Sequence, residues 1–303
     1  MARLLASRPA SCRDRLPAPR AALRRHIVTE APMKPRTLKD FWLRLASALG
    51  IGVAFIGSIV FIGPLGLAVV VAVVAVAASA EFYSILRRER RLPNELFGLA
   101  AVAAMPFAAS WYGTYGLTAV VSVLVMASLL WHITFKQVRA TDTAVTVFGA
   151  VYVGFTLAHL VLIRELDAGT ELALATVASV WANDTFAYLI GSAIGKHRMA
   201  PHISPKKSWE GFIAGTLFTT AVWVAVYFVA DTGLSLGWLI LVGLAASVAA
   251  VVGDLAESRL KREAQMKDSS AWLPGHGGFL DRFDSMVLVS IVTYYMLVFA
   301  GAL

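Results

Sequence analysis

Nine stretches of the chain are apolar over most of the roughly 20 residues that a helix needs to cross a bilayer core. They are 45–62, 65–81, 96–111, 117–135, 145–163, 172–190, 212–230, 236–255 and 286–303. The pattern predicts an all-α, polytopic integral membrane protein with about nine transmembrane helices. Only Gly63-Pro64 separates the first two stretches, so a tight helical hairpin is the natural reading there. The third stretch is the shortest and carries Pro106. The Val/Ala run at 67–80 is low in complexity, and a lipid-facing helix is sufficient explanation.

Composition agrees. Of 303 residues, 58% are hydrophobic and 15% charged, against about 45–50% and about 25% in a soluble domain. That excludes an ordinary cytosolic enzyme, a disordered chain and a nucleic-acid-binding domain. The single cysteine, Cys12, excludes an intrachain disulfide and a cysteine-based zinc site. The formal net charge of +8 would suggest a nucleic-acid partner in a soluble protein, but in a membrane protein it reflects basic residues kept on the cytoplasmic side. With nine spans and a cytoplasmic N-terminus, 26 of the 27 Lys and Arg fall on the cytoplasmic side, and only Arg164 falls outside. The C-terminus is then expected outside. Residues 1–40 form a basic tail, with seven arginines and one acid in the first 28 positions. The tail reads as a disordered cytoplasmic extension, an over-long start before Met33, or an organellar transit peptide. The remainder divides into an N-terminal transmembrane region, 41–170, and a C-terminal catalytic region, 171–303, with cytoplasmic loops 191–211 and 256–283. The expected location is a bacterial plasma membrane, or an organellar one if the tail is a transit peptide.

Charges are costly near a bilayer, so their positions are informative. Asp254, Glu257, Ser258 and Lys261 stand at i, i+3, i+4 and i+7, one face of a helix that continues past the eighth stretch. A solvated face with i,i+4 ion pairs is the plain alternative, but Asp254 directly follows an unbroken apolar run. Next, Leu273-Pro274-Gly275-His276-Gly277-Gly278 supplies backbone that can approach a ligand closely and present N–H groups to phosphate. Asp281 and Asp284 follow, one turn apart, at the mouth of the last stretch. Their oxygen donors suit Mg²⁺ shared with substrate phosphates; helix capping is the alternative. Asp254 completes a three-carboxylate cluster if the last two spans pack together. Asp184 lies well inside the sixth stretch, and an intramembrane acid is a functional candidate by default. The following loop contains Ser204-Pro205-Lys206-Lys207-Ser208. Ser204 as N-cap with Pro205 at the first helical position would start the seventh span. The two lysines either follow the charge rule or neutralise phosphate. His159 reads as a structural residue.

These residues resemble a known signature. Ser258-Arg259-Leu260-Lys261-Arg262, Lys267-Asp268, Leu273–Gly278 and Asp281-Arg282-Phe283-Asp284 are similar to the pattern of phosphatidate cytidylyltransferases (CDP-diacylglycerol synthases). So are Asn183-Asp184, Phe186-Ala187-Tyr188, Gly191, Gly195 and the run 204–211. The resemblance covers roughly 181 to the C-terminus; before it, only Glu81-Phe82-Tyr83 adds to hydropathy. It implies that CTP and phosphatidic acid give CDP-diacylglycerol and pyrophosphate at the lipid bilayer, with Mg²⁺ (or Mg²⁺ and a second cation) and a homodimer. It further implies Asp254, Asp281 and Asp284 as metal ligands, and these with Ser258 and Lys261 as catalytic residues. The substrate-binding residues expected are Asp184, Lys206, Lys207, Ser208, Arg262, Lys267, His276, Gly277, Gly278 and Arg282. Two alternatives stand beside this reading. A CTP-dependent polyprenol or phytol kinase would transfer the γ-phosphoryl group. An ion-coupled transporter would use Asp184 and Asp254, although polar residues crowded into one half fit it poorly.

Overall fold

The computed structural model describes residues 49–50, 52–89, 91–266, 269–270 and 277–302. The basic tail and the expected substrate residues Lys267 and His276 lie outside the described residues.

The chain enters through α1 (Gly52–Ile62), whose last turns widen into a π-helix over Ser58–Ile62. Gly63 takes φ 82°, a conformation open to glycine at little cost, and Pro64 opens α2 (Pro64–Arg88) at its first position. Arg87 and Arg88 occupy the last turn of α2, where cations complement the helix dipole. Asn94 caps α3 (Glu95–Thr134) by accepting a hydrogen bond from the Phe97 amide at 3.2 Å.

α3 is not one straight rod. Gly113 has φ 59° and ψ −143°, and the rings of Phe97 and Trp131 lie 5.7 Å apart. Those residues would be about 50 Å apart along a straight helix. The chain therefore doubles back at Gly113, and its two arms correspond to the third and fourth apolar stretches. Pro106 is buried within the first arm. α4 (Ala140–Glu165) contains a second π-helical insertion, Ala150–Phe155. α5 (Gly169–Ile194) follows, then strands β1 (Arg198–Ala200) and β2 (Ser204–Ser208). Three long helices complete the order: α6 (Trp209–Val229), α7 (Leu236–Glu263) and α8 (Leu280–Ala300).

Among the described residues, six helices, α2, α3, α4, α6, α7 and α8, are long and apolar enough to cross a membrane. The architecture is thus α-helical and polytopic, as expected. The count of nine is not reproduced by length and hydropathy. α1 is short, the apolar run of α5 is broken by Asn183 and Asp184, and the third and fourth stretches are the two arms of α3, which double back at Gly113. The most extensive packing is α5 on α6, α8 on α7, α7 on α6 and α2 on α3. α4 packs along α8 and so joins the two halves of the chain. The core is Leu67, Phe82, Tyr83, Met105, Leu160, Trp223, Leu239 and Val287 among others. Large apolar side chains such as Phe61, Leu96, Ile133, Phe228 and Phe299 stay on the outside. In water such a surface would be a liability; in lipid it is solvated.

The start of α6 corrects one expectation. Ser204-Pro205 does not open the helix. Proline disfavours helical backbone at the residue before it, and Ser204–Ser208 runs extended, antiparallel to β1, with Arg198 opposite Ser208 and Ala200 opposite Ser204. The N-cap is Ser208, which accepts from the Gly211 amide at 3.2 Å. The hairpin is closed by the Trp209 amide donating to the His197 carbonyl at 2.9 Å and by His197 Nδ1 lying 2.6 Å from Glu210 Oε1.

Candidate active site

α5 and α6 approach closely because small residues face each other. A Cβ on Gly211 would sit 2.6 Å from the Ala187 carbonyl oxygen, and one on Gly215 would sit 2.7 Å from Asn183 Oδ1. Small residues at such spacing let backbones of membrane helices touch. Buried Asn183 accepts from Ser247 Oγ at 3.1 Å, and Ser247 lies 2.8 Å from Thr216 Oγ1. This polar seam fixes α5, α6 and α7 against one another. On the next face, Gly253 of α7 packs directly on the backbone of Asp284 in α8. The residue after Gly253 is Asp254, so the same close approach brings Asp254 and Asp284 to one place.

That place is a cavity of about 620 Å³ between α5, the hairpin, α6, α7 and α8. Of the expected residues, Asp184, Lys206, Lys207, Ser208, Asp254, Asp281 and Asp284 line it. Asn183, Arg198 and Ser204 line it as well. The hairpin carries its lysines to the rim, and Lys207 Nζ lies 2.8 Å from Asp254 Oδ2. Ser258 donates to the other oxygen of Asp254 at 3.1 Å, one turn along α7. Lys261 is bracketed by two acids, Glu257 and Asp281, each at 2.6 Å. Its contact with Glu257 is the i,i+4 pair read from the sequence, but it is buried: Glu257 is 0% and Lys261 12% exposed.

Asp281 is held from several sides. It accepts from the Gly278 amide at 2.8 Å and the Ser269 amide at 2.9 Å, and Ser269 Oγ lies 3.1 Å away. Gly278 thus acts on Asp281, and its backbone has Glu81 and Ser269 against it, leaving no room for a side chain. Arg262 is exposed and reaches toward the Ile203 carbonyl at 3.5 Å, beside the hairpin. Arg282 is exposed on the first turn of α8, and Gly277, with φ 82°, sits just before it. None of these three lines the cavity among the described residues.

The three expected metal ligands, Asp254, Asp281 and Asp284, all line the cavity, and Asp184 joins them there. Asp281 is also bonded by Lys261 and the Ser269 amide. Among the described residues, no group of three or more His, Cys, Asp and Glu is arranged as a ready-made metal site. Lys207 pairs with Asp254, whereas the single charge of Lys261 is shared between Glu257 and Asp281. The donor chemistry nevertheless fits a hard cation, since the cavity carboxylates offer oxygen alone. His159, read as structural, is not among the cavity-lining residues. It is fully buried, with Nδ1 2.7 Å from the Phe155 carbonyl and its ring edge-on to Tyr294.

One buried acid was not among the candidates. Glu81, near the end of α2, is 1% exposed and accepts four hydrogen bonds from around the start of α8. Its signal in the sequence was the one that marked Asp254: a carboxylate directly after an unbroken apolar run.

Comparison with known proteins identifies the family. Residues 42–300 match the profile of the Cytidylyltransferase family. The chain is 38% identical to the phosphatidate cytidylyltransferase of Bacillus subtilis over 149 residues, covering 49% of this chain and 55% of that protein. The chain thus spans about half the length of that relative. It is 31% identical to the phosphatidate cytidylyltransferase of Mycobacterium bovis over 289 residues, covering 86% of this chain and 90% of that one.

Proposed function

The chain belongs to the cytidylyltransferase family, and on that premise we propose that it transfers the cytidylyl group of CTP to phosphatidic acid, giving CDP-diacylglycerol and pyrophosphate. One observation carries the reading from the site itself: Asp184, Asp254, Asp284, Lys206 and Lys207 meet in one cavity at the polar ends of apolar helices. A lipid headgroup and a nucleotide triphosphate can meet there while acyl chains remain among the outward apolar side chains.

In the reaction a phosphatidate oxygen attacks the α-phosphorus of CTP, and the bond to the β-phosphate oxygen breaks with release of pyrophosphate. No side-chain nucleophile is required, so catalysis is positioning and electrostatic stabilisation. Lys207 stands where polyphosphate oxygens can replace Asp254 as its partner, and Lys206 lines the same cavity, so both can offset repulsion between two polyanions. Ser258 holds the Asp254 carboxylate from behind. Lys261, fixed between Glu257 and Asp281, keeps one positive charge at the base of the site in a single geometry. Asp254, Asp281 and Asp284 would hold Mg²⁺, with Asp184 beside them in the cavity, and a bound Mg²⁺ would supply charge neutralisation on the phosphates. The reading includes a cytoplasmic cavity, supported by the 26 of 27 basic residues that nine spans would place on one side. It also includes a homodimer.

The test is purified protein with CTP, phosphatidate and Mg²⁺, assayed for both products. Pyrophosphate and CDP-lipid in equal amounts support the proposal. CDP and a lipid phosphate, formed from an unphosphorylated lipid alcohol, would make the chain a kinase instead.

A further inference from the structure

Glu81 lies on α2, 173 positions before Asp254 and outside the region where the signature is dense. Its carboxylate is buried, and no salt bridge to it is found among the described residues. Instead, each oxygen takes two donors. Oε1 accepts from the Phe279 amide at 3.0 Å and Ser270 Oγ at 2.5 Å. Oε2 accepts from the Leu280 amide at 2.9 Å and Ser269 Oγ at 2.7 Å. The two amides are at the start of α8 and have no partner within the helix, so a residue from another helix caps it. A negative charge there is also favoured by the helix dipole.

The consequence reaches the cavity through Ser269. Its amide and hydroxyl both contact Asp281 Oδ2, at 2.9 and 3.1 Å. The other oxygen of Asp281 holds Lys261 at 2.6 Å. Asp281 and Asp284 sit on the turn of α8 that Glu81 caps. Any slide of that turn would move both aspartates relative to Asp254 on α7.

We infer that Glu81 is a positioning residue for the transfer reaction: from the N-terminal half of the chain it sets the α8 turn that presents Asp281 and Asp284 to the substrates and, through Asp281, holds Lys261. A displacement near 1 Å at such a site costs about 10²-fold in rate. The inference rests on the proposed activity.

Glu81→Gln is the direct test. Gln keeps one acceptor oxygen, and its amide points a donor at a backbone N–H whichever way it is turned. The expected result, measured per folded enzyme, is a kcat lower by about 10²-fold with KM for CTP and phosphatidate little changed. Amide hydrogen exchange over 279–285 should quicken while α5 and α6 exchange as in the wild type. Ser269→Ala removes the relay and leaves the cap; it should lower kcat in the same direction. Combined with Glu81→Gln, it should add less than its single effect, because both act through one path. If Glu81→Gln does not fold, Ser269→Ala decides alone. Wild-type kcat in folded Glu81→Gln, or in Ser269→Ala, would overturn the inference, as would losses that appear only as less folded protein. A wild-type protein without turnover would refute the proposed activity and not the tie, since exchange over 279–285 in Glu81→Gln reads the tie directly. Unchanged exchange there would overturn it.

Discussion

Lys261→Met removes the cation between two acids while keeping most of the apolar stem. Glu257 is left fully buried, because its side chain is 0% exposed and Lys261, at 2.6 Å, is its ion-pair partner. Asp281 keeps its bonds to Gly278 and Ser269, so the loss concentrates on Glu257. Breaking a buried pair from one side costs about 3–5 kcal/mol, or roughly 5–15 °C in unfolding temperature. Adding Glu257→Gln to Lys261→Met should restore most of that, since a neutral amide does not need a counter-charge. Activity should not return: turnover of both variants, per folded enzyme, should stay lower by about 10²–10³-fold, the usual cost of one electrostatic group aimed at developing charge. The measurements are thermal unfolding of detergent-purified protein and CTP-dependent pyrophosphate release. An unchanged unfolding temperature in Lys261→Met would refute the buried-pair argument. Wild-type turnover in the double variant would remove Lys261 from the chemistry.

Three further outcomes are expected. Asp254→Asn and Asp284→Asn keep size but remove charge from the cavity, and each should cut pyrophosphate release by orders of magnitude with little change in stability, with EDTA abolishing the wild-type activity; full activity in either variant, or in EDTA, would sink the metal assignment. Gly211→Ala puts a methyl group against the Ala187 carbonyl oxygen at 2.6 Å, where only backbone can give, so α5 and α6 should part at a cost of about 1–3 kcal/mol, read as a lower unfolding temperature. In a Cys12→Ser background, a thiol reagent that does not cross membranes should label Asp231→Cys from outside and Glu263→Cys from the cytoplasmic side; reversed labelling would overturn the proposed orientation.

The helical, membrane-spanning character of the chain was legible from hydropathy alone, because a bilayer imposes one length and one composition on any helix that crosses it. The run from Asp254 to Lys261 was legible for a similar reason: helical period fixes which residues share a face, and α7 continues to Glu263 as that period required. Charge next to apolar sequence likewise marked Asp184, Asp254 and Asp284 before any contact was known. Local signals misled where two local structures compete for the same residues. Ser204-Pro205 suits a helix start and an extended strand, and pairing with β1 decided for the strand, which places Lys207 against Asp254. The fold of α3 at Gly113 and the cap that Glu81 gives α8 depend on helices distant in sequence. The meeting of the aspartates was also decided by packing. Sequence spacing puts Asp281 and Asp284 one turn apart, and the approach of α7 on α8 at Gly253 brings Asp254 to them, so that all three line one cavity. Periodicity and charge determine what each segment can offer, whereas which offers meet is set by the close packing of helices far apart in the chain.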